Sequence, residues 1–257
     1  MSARAMWKGV LKFGGVEVGV KLYSALENKS VSFRLLSREH REPVRQVLLD
    51  QESGDFIQYG AAGRGFVQGD AIVALSGDEL ASLEPEPSRV IEVRSFVAPE
   101  LLDARWFERP YWLGPDSGEE GWHALAAALE RTQKVGLARW VMRKKEYVGG
   151  LRSYRGYPML VTMRNREEVL LLDATDLRDD TGVKERELAM AAQLIAMMEG
   201  RFEPGSYADE YRERVLDLVE RKKRGKTVKL PEPEEVAPVT DLAAALERSL
   251  AQEEARA

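Results

Sequence analysis

The sequence predicts a mixed β+α chain, with a barrel or sandwich of short strands in its first hundred residues and a helical region from residue 183 onward. Three observations carry that reading. In VEVGVKLY (16–23), Val16, Val18, Val20 and Leu22 alternate with Glu17, Gly19, Lys21 and Tyr23, the period of two expected of a half-buried strand. Further short apolar runs follow, separated by turn residues, as in all-β barrels and sandwiches. Beyond residue 183 the apolar spacing lengthens to three and four, which is that of a helix.

Taken in order, SVSFRLLS (30–37) and PVRQVLLD (43–50) are expected as strands on either side of the polar turn REHRE, with a second turn over Asp50–Gly54. AIVALS (71–76) and RVIEVRSFV (89–97) continue the pattern. EEGWHALAAALERTQ sets Trp122, Leu125, Ala126 and Leu129 on one stripe and predicts a helix. After Gly136 the β-branched and aromatic residues return through Tyr147 and Val148, and EEVLLLDA (167–174) is expected as another strand. Leu188, Ala191, Ala192, Ile195 and Met198 form a helical stripe ended by Gly200. Ser206 and Asp209 resemble a capping start for a helix with Tyr207, Tyr211, Val215 and Leu218 on its face, ending at Gly225 after RKKR. PEPEEVAPV (231–239) reads as a linker. In TDLAAALERSLAQ, Thr240 is a possible cap, and Leu242, Leu246 and Leu250 recur at i, i+4, i+8. A helix so short is marginal alone in water, so it docks either on a partner or back on its own domain. No internal repeat is present.

Composition narrows the function. The 257 residues are 44% hydrophobic, enough for a sizeable core. The absence of cysteine excludes disulfides, thiolate metal sites and a cysteine nucleophile, and suits a reducing cytoplasm. No apolar run approaches the ~20 residues of a membrane span, and the opening MSARAMWKGV gives no expectation of a signal peptide. The net charge of −5 conceals segregation. Residues 1–48 hold 9 Lys/Arg against 4 Asp/Glu, residues 49–137 hold 7 against 16, residues 138–166 hold 8 against 1, and residues 167–257 hold 14 against 22. If the fold joins the two basic segments, one face becomes a polyanion site on an otherwise acidic protein. The plain reading is charge that merely fluctuates along a solvated surface.

Catalytic signatures are missing. His40 and His123 lie far apart without ligand spacing, and neither is accompanied by a nucleophile elbow. GAAGRG (60–65) lacks the dinucleotide-binding order, and GKT (225–227) lacks the preceding glycine of a phosphate loop. No metal site and no catalytic residue is expected. The candidates are cations: Lys8, Lys12, Arg38, Arg41, Arg45, Arg64, Arg139, Arg143, Lys144 and Lys145. Arginine dominates, and its planar fork suits phosphate oxygens. Charge on strands and turns, rather than on a recognition helix, favours backbone contact without base readout.

Several stretches then converge. AMWKGVLKFGGVEVGVKLYSA (5–25), SRVIEVRSFVAPELLD (88–103), RPYWLGPD (109–116), VGLARWVMRKKEYVGGLR (135–152), KERELAMAAQLIAMMEGRFEPGSYADEYRERVLDLVERK (184–222) and TDLAAALERSL near the end resemble, in order, the bacterial Ku proteins. That resemblance implies a Ku-type β-barrel with an extended strand-and-loop arm, two copies of which form a ring, followed by a helical C-terminal region. The domains expected are 1–180 for barrel and arm, 181–229 for the helical region, and 230–257 for the linker and a partner-binding helix. The implied function is sequence-independent binding of double-stranded DNA ends as a ring-shaped homodimer, with recruitment of the bacterial end-joining ligase in non-homologous end joining. The implied setting is the cytoplasm at the nucleoid, with no cofactor. On this reading Arg139, Arg143 and Lys144 line the DNA channel while Trp140 and Val141 face the barrel core. Lys8 and Lys12 come from the first strand, Arg41 and Arg45 flank the turn into PVRQV, and Arg64 sits in the glycine-rich loop. Separately, because an amphipathic helix follows a Pro/Glu linker, Leu242, Leu246 and Leu250 are expected to dock on the end-joining ligase or its polymerase module.

Two departures stand out. Many relatives carry cysteines near the second strand pair, where this chain reads VLLDQESGDFI, so no zinc role is expected. Some carry a lysine-rich tail, whereas the residues around the linker here are acidic, so tail-assisted DNA binding is not expected. Other classes are a single-stranded nucleic-acid-binding barrel, a nuclease and an assembly scaffold. The first would stack bases on Trp7, Phe13, Tyr23 or Phe33, whose spacing equally fits a core.

Overall fold

The structure is a computed structural model and describes residues 4–116, 118–170, 182, 184–225 and 242–254. They divide into two compact units, one within 1–29 and 33–171 and the other within 30–32 and 172–257.

The first unit is built on a closed barrel of seven strands. β1 (Trp7–Phe13) turns through Gly14 and Gly15 into β2 (Val16–Ser24). Residues 25–89 then leave the barrel and carry β3 (Leu48–Leu49) paired with β4 (Phe56–Ile57), a 3-10 turn at Tyr59–Ala61, β5 (Arg64–Gln68) paired with β6 (Ala71–Leu75), and α1 (Gly77–Ser82). The chain returns as β7 (Val90–Val97), β8 (Phe107–Pro115), α2 (Glu119–Thr132), β9 (Val135–Met142), β10 (Lys145–Tyr154) and β11 (Tyr157–Met163). Around the barrel the order is β1-β2-β8-β11-β10-β9-β7, closed by a parallel pairing of β1 with β7. Closure removes the open edges that a sheet of this size would otherwise expose.

Alternation determines the core. Val18, Val20 and Leu22 of β2 point inward with Leu11, Ile91, Leu113, Trp140, Leu151 and Leu160. α2 adds Trp122, Leu125, Ala126 and Leu129, the stripe its sequence predicts. The Trp122 Nε1 donates to the Leu113 carbonyl at 2.8 Å, which satisfies a buried indole. Gly149 is required by closeness: a Cβ there would stand 2.6 Å from the Val161 carbonyl oxygen and 2.7 Å from the Trp140 ring.

Several expectations are corrected. Residues 30–37 form no strand, apart from an isolated bridge of Leu36 to Pro43, and within 43–50 only Leu48–Leu49 is a strand. These segments lack a sheet to pack on, and Phe33, which was considered for a core, is 69% exposed. The turns at 38–42 and 50–54 do form. Asp50 accepts from the backbone N–H of Glu52 and Ser53, and Gly54 takes a positive φ. Arg64 opens β5 rather than lying in a loop. Residues 166–168 are a 3-10 turn in place of a strand, and 171–174 lie outside the described residues.

The second unit holds α3 (Glu185–Met197), α4 (Glu210–Lys223) and α5 (Leu242–Glu254). Asp209 caps α4 by accepting from the Arg212 N–H at 2.9 Å, and Gly225 follows its end at φ 71. The stripe expected on α3 is largely exposed, with Leu188 at 55% and Ile195 at 72%. Of that stripe only Ala191 is half-buried, and it shares the half-buried face with Glu187, Met190 and Leu194. α5 packs along α3, with Arg186 and Glu247 2.8 Å apart. It is therefore not isolated, and Leu246 and Leu250 are half-buried. The Leu242 side chain, Thr240, the 231–239 linker and residues 226–227 lie outside the described side chains or residues.

Candidate nucleic-acid interface

The segment ARWVMRKKEY is a hairpin. β9 supplies Arg139 outward and Trp140 and Met142 inward, and Met142 pairs with Lys145 of β10 across a two-residue turn of Arg143 and Lys144. Trp140 faces the core as expected. Val141 does not, because it shares the outward parity of Arg139 and is only half-buried.

The turn residues Arg143 and Lys144 both take positive φ, 52° and 64°, the geometry of a type I′ hairpin turn. That turn favours Asn-Gly, and a non-glycine residue there costs on the order of 1 kcal/mol. The β1–β2 turn uses Gly14 and Gly15 instead. Two cations thus occupy the barrel's β9–β10 tip against backbone preference.

The other cations sort by their partners. Lys8 lies 2.9 Å from Asp116, which also holds Lys21 at 2.9 Å. The two ammonium hydrogen bonds, Lys8 first, keep the Asp116 carboxyl below its ordinary range. Lys12 pairs with Glu17 at 3.0 Å, Arg139 with Glu146 at 3.4 Å, and Lys144 with Glu84 at 2.8 Å. Arg38, Arg41, Arg45, Arg64, Arg143 and Lys145 make no ion pair among the described residues, although Lys145 sits 5.5 Å over the Tyr147 ring.

The wall over β1, β7, β9 and β10 is therefore balanced rather than positive. Lys12, Arg94 and Arg139 face Glu17, Glu92 and Glu146, each cation beside a carboxylate. Positive excess gathers at the tip. A cavity of about 820 Å³ brings Arg64 and Lys144 together with Tyr59 and Glu84. A neighbouring one of about 520 Å³ brings Arg143 and Lys144 together with Arg89, Glu84 and Glu86. Arg38, Arg41 and Arg45 stand apart, on the segment outside the barrel, where Arg41 takes φ 57 in its turn. Arg94 was missed in the sequence, although its outward parity with Val90 and Glu92 in RVIEVRSFV would have found it; Arg89 precedes β7, and no such alternation marks it.

The segment between β2 and β7 exposes much apolar surface: Phe56 is 75% exposed, Tyr59 88% and Ile72 74%. Among the described residues no group of three or more His, Asp or Glu could hold a metal ion, and no helix is long and apolar enough to cross a membrane.

Comparison with known proteins adds the following. Residues 12–190 match the family described as Ku, the Ku70/Ku80 beta-barrel domain. The non-homologous end joining protein Ku 1 of Saccharopolyspora erythraea is 34% identical over 257 residues, covering 97% of this chain and 78% of that protein. Those of Coxiella burnetii (33% over 247 residues, 93% and 90%) and Anaeromyxobacter sp. (35% over 255 residues, 97% and 86%) are similarly related.

Proposed function

This chain belongs to the Ku family, and from that premise we propose that it binds the ends of double-stranded DNA as a ring-shaped homodimer, without reading sequence, and recruits the DNA ligase of non-homologous end joining. The observation that carries the proposal is the Arg143–Lys144 tip, where two cations are kept at positions that favour asparagine and glycine. Cations on turns reach phosphate oxygens and leave the base edges unread. Arg64 and Arg89 add charge around the same cavities. The exposed apolar residues of 25–89 support dimerisation through that arm, since a second copy would cover them. The role is binding, with no catalytic step assigned to any residue.

For the ligase, Leu242, Leu246 and Leu250 remain the proposed contact, and their helix leaves α3 to make it. The test is twofold. Sedimentation should give a dimer, and Phe56→Asp with Ile72→Asp should give a monomer that has lost tight end binding. Binding of short duplexes of unrelated sequence should agree in affinity and fall with log salt at a slope of ~−0.9 per phosphate neutralised. A monomeric wild type that binds ends, or affinities that follow sequence, would count against the proposal.

A further inference from the structure

A second hairpin turn of the barrel carries a cation at a positive-φ position. Between β10 and β11, Arg155 takes φ 53 and Gly156 φ 80. Register sets this turn at the far end of β10 from Arg143 and Lys144, roughly 30 Å away at the rise of a ten-residue strand. The turn is anchored: Glu130 of α2 accepts from the Ser153 hydroxyl and from the Gly156 N–H at 3.2 Å. These bonds hold the Glu130 carboxyl below its ordinary range, Ser153 contributing most.

Beside it three aromatic rings form an open cup. Trp112 lies 5.9 Å from Tyr154 and 6.2 Å from Tyr157, the latter edge-on. Tyr157 leans in turn on the buried Trp122 at 5.4 Å. Trp112, Tyr154, Arg155 and Tyr157 line a cavity of about 410 Å³. Tyr154 and Tyr157 are half-exposed, at 46% and 55%. The Arg155 guanidinium sits 5.5 Å over the Tyr154 ring. It fills the position a ligand cation would take and repels one, so the cup suits a ligand with a flat π face and a negative charge.

We infer that Trp112, Tyr154, Tyr157 and Arg155 form a stacking site for an unpaired nucleotide, engaged by the single-stranded extension of a DNA end. The inference rests on the end-binding reading above. Aromatic rings stack any base, and arginine meets the adjoining phosphate, so such a site tolerates sequence as end binding requires. A single-stranded extension is tethered to the bound duplex and has unstacked bases to offer, whereas a blunt end has none.

The test compares the full chain on a blunt duplex, on the same duplex with a long single-stranded extension, and on a free oligonucleotide. Tyr154→Ala and Arg155→Asn are the variants, the second chosen because asparagine tolerates positive φ. Wild type should bind the extended duplex roughly 5- to 100-fold more tightly than the blunt one. Both variants should lose that preference and keep blunt-end affinity, which also certifies their folding. Equal affinity of wild type for blunt and extended ends would overturn the inference and leave end binding standing. So would a preference that survives both variants, or a proline-rich acidic peptide that quenches Trp112 when the oligonucleotide does not. If blunt ends bind no better than closed circles, end binding itself fails, while oligonucleotide binding lost in Tyr154→Ala still upholds the stacking site.

Discussion

The Lys144 ammonium lies 2.8 Å from the Glu84 carboxylate, tying the tip of the β9–β10 hairpin to the chain just beyond α1. Lys144 is 74% exposed and Glu84 37%, so the pair adds little to stability. On the proposed function, a phosphate reaching Lys144 competes with a carboxylate already there. Glu84→Gln should therefore tighten duplex binding, by up to roughly fivefold for one exposed pair. Anisotropy titrations at fixed salt would measure it. Weaker binding would mean that Glu84 orders the tip for DNA rather than competing with it.

The tip itself can be neutralised without straining the hairpin. Arg143→Asn combined with Lys144→Gly installs the residues a type I′ turn prefers. Thermal stability should hold or rise. Affinity should fall alike on unrelated sequences, with the salt slope shallower by about 1.8 for two lost phosphate contacts. An unchanged slope would remove Arg143 and Lys144 from the interface.

Acid should act on the barrel through Asp116. Lys8 and Lys21 hold its carboxyl below the ordinary range, so its stabilising contribution is complete above an unfolded value of about 3.9 and is lost as pH falls through the lower folded value. Glu130, held down by Ser153 and Gly156, has the same sign. Melting temperature should change little between neutrality and about pH 5, then fall below about pH 4. Asp116→Asn should flatten that acid limb; a limb of undiminished depth would assign it elsewhere.

Gly149 tests the packing. In Gly149→Ala the new methyl meets the Trp140 ring and the Val161 carbonyl, and neither is the free end of a flexible chain. Overpacking of this kind costs about 1–3 kcal/mol, readable from the denaturant midpoint. A midpoint at or above that of wild type would mean that β10 and β11 separate more easily than their register suggests.

Deleting residues 238–257 should abolish stimulation of the end-joining ligase and leave duplex binding intact. Survival of the stimulation would leave α5 as a helix that serves only to cover α3.

How much was legible follows from what each residue packs against. β2, β7 and α2 could be read because one face of each meets the core, which imposes a period of two or 3.6 on the sequence. The apolar runs at 30–37 and 43–50 have the composition of strands but, apart from Leu48–Leu49 pairing with β4, no sheet to join, and composition cannot tell a core partner from an absent one. The cations of 138–145 were visible as a cluster. Their pairing was not, since Glu84 and Asp116 reach Lys144 and Lys8 only through the fold. The same holds for Arg89, which joins Arg143 across strands distant in sequence, and for the Trp112–Tyr154–Tyr157 cup, whose members come from three strands.

A ring threaded onto a broken end is tested with one plasmid in linear and covalently closed forms across a salt series. Protein should load on the linear form alone. Once bulky caps block both ends, it should stay bound through a salt challenge that strips it from uncapped DNA. Equal retention on closed and linear plasmid would instead describe an open basic surface, and would contradict the ring.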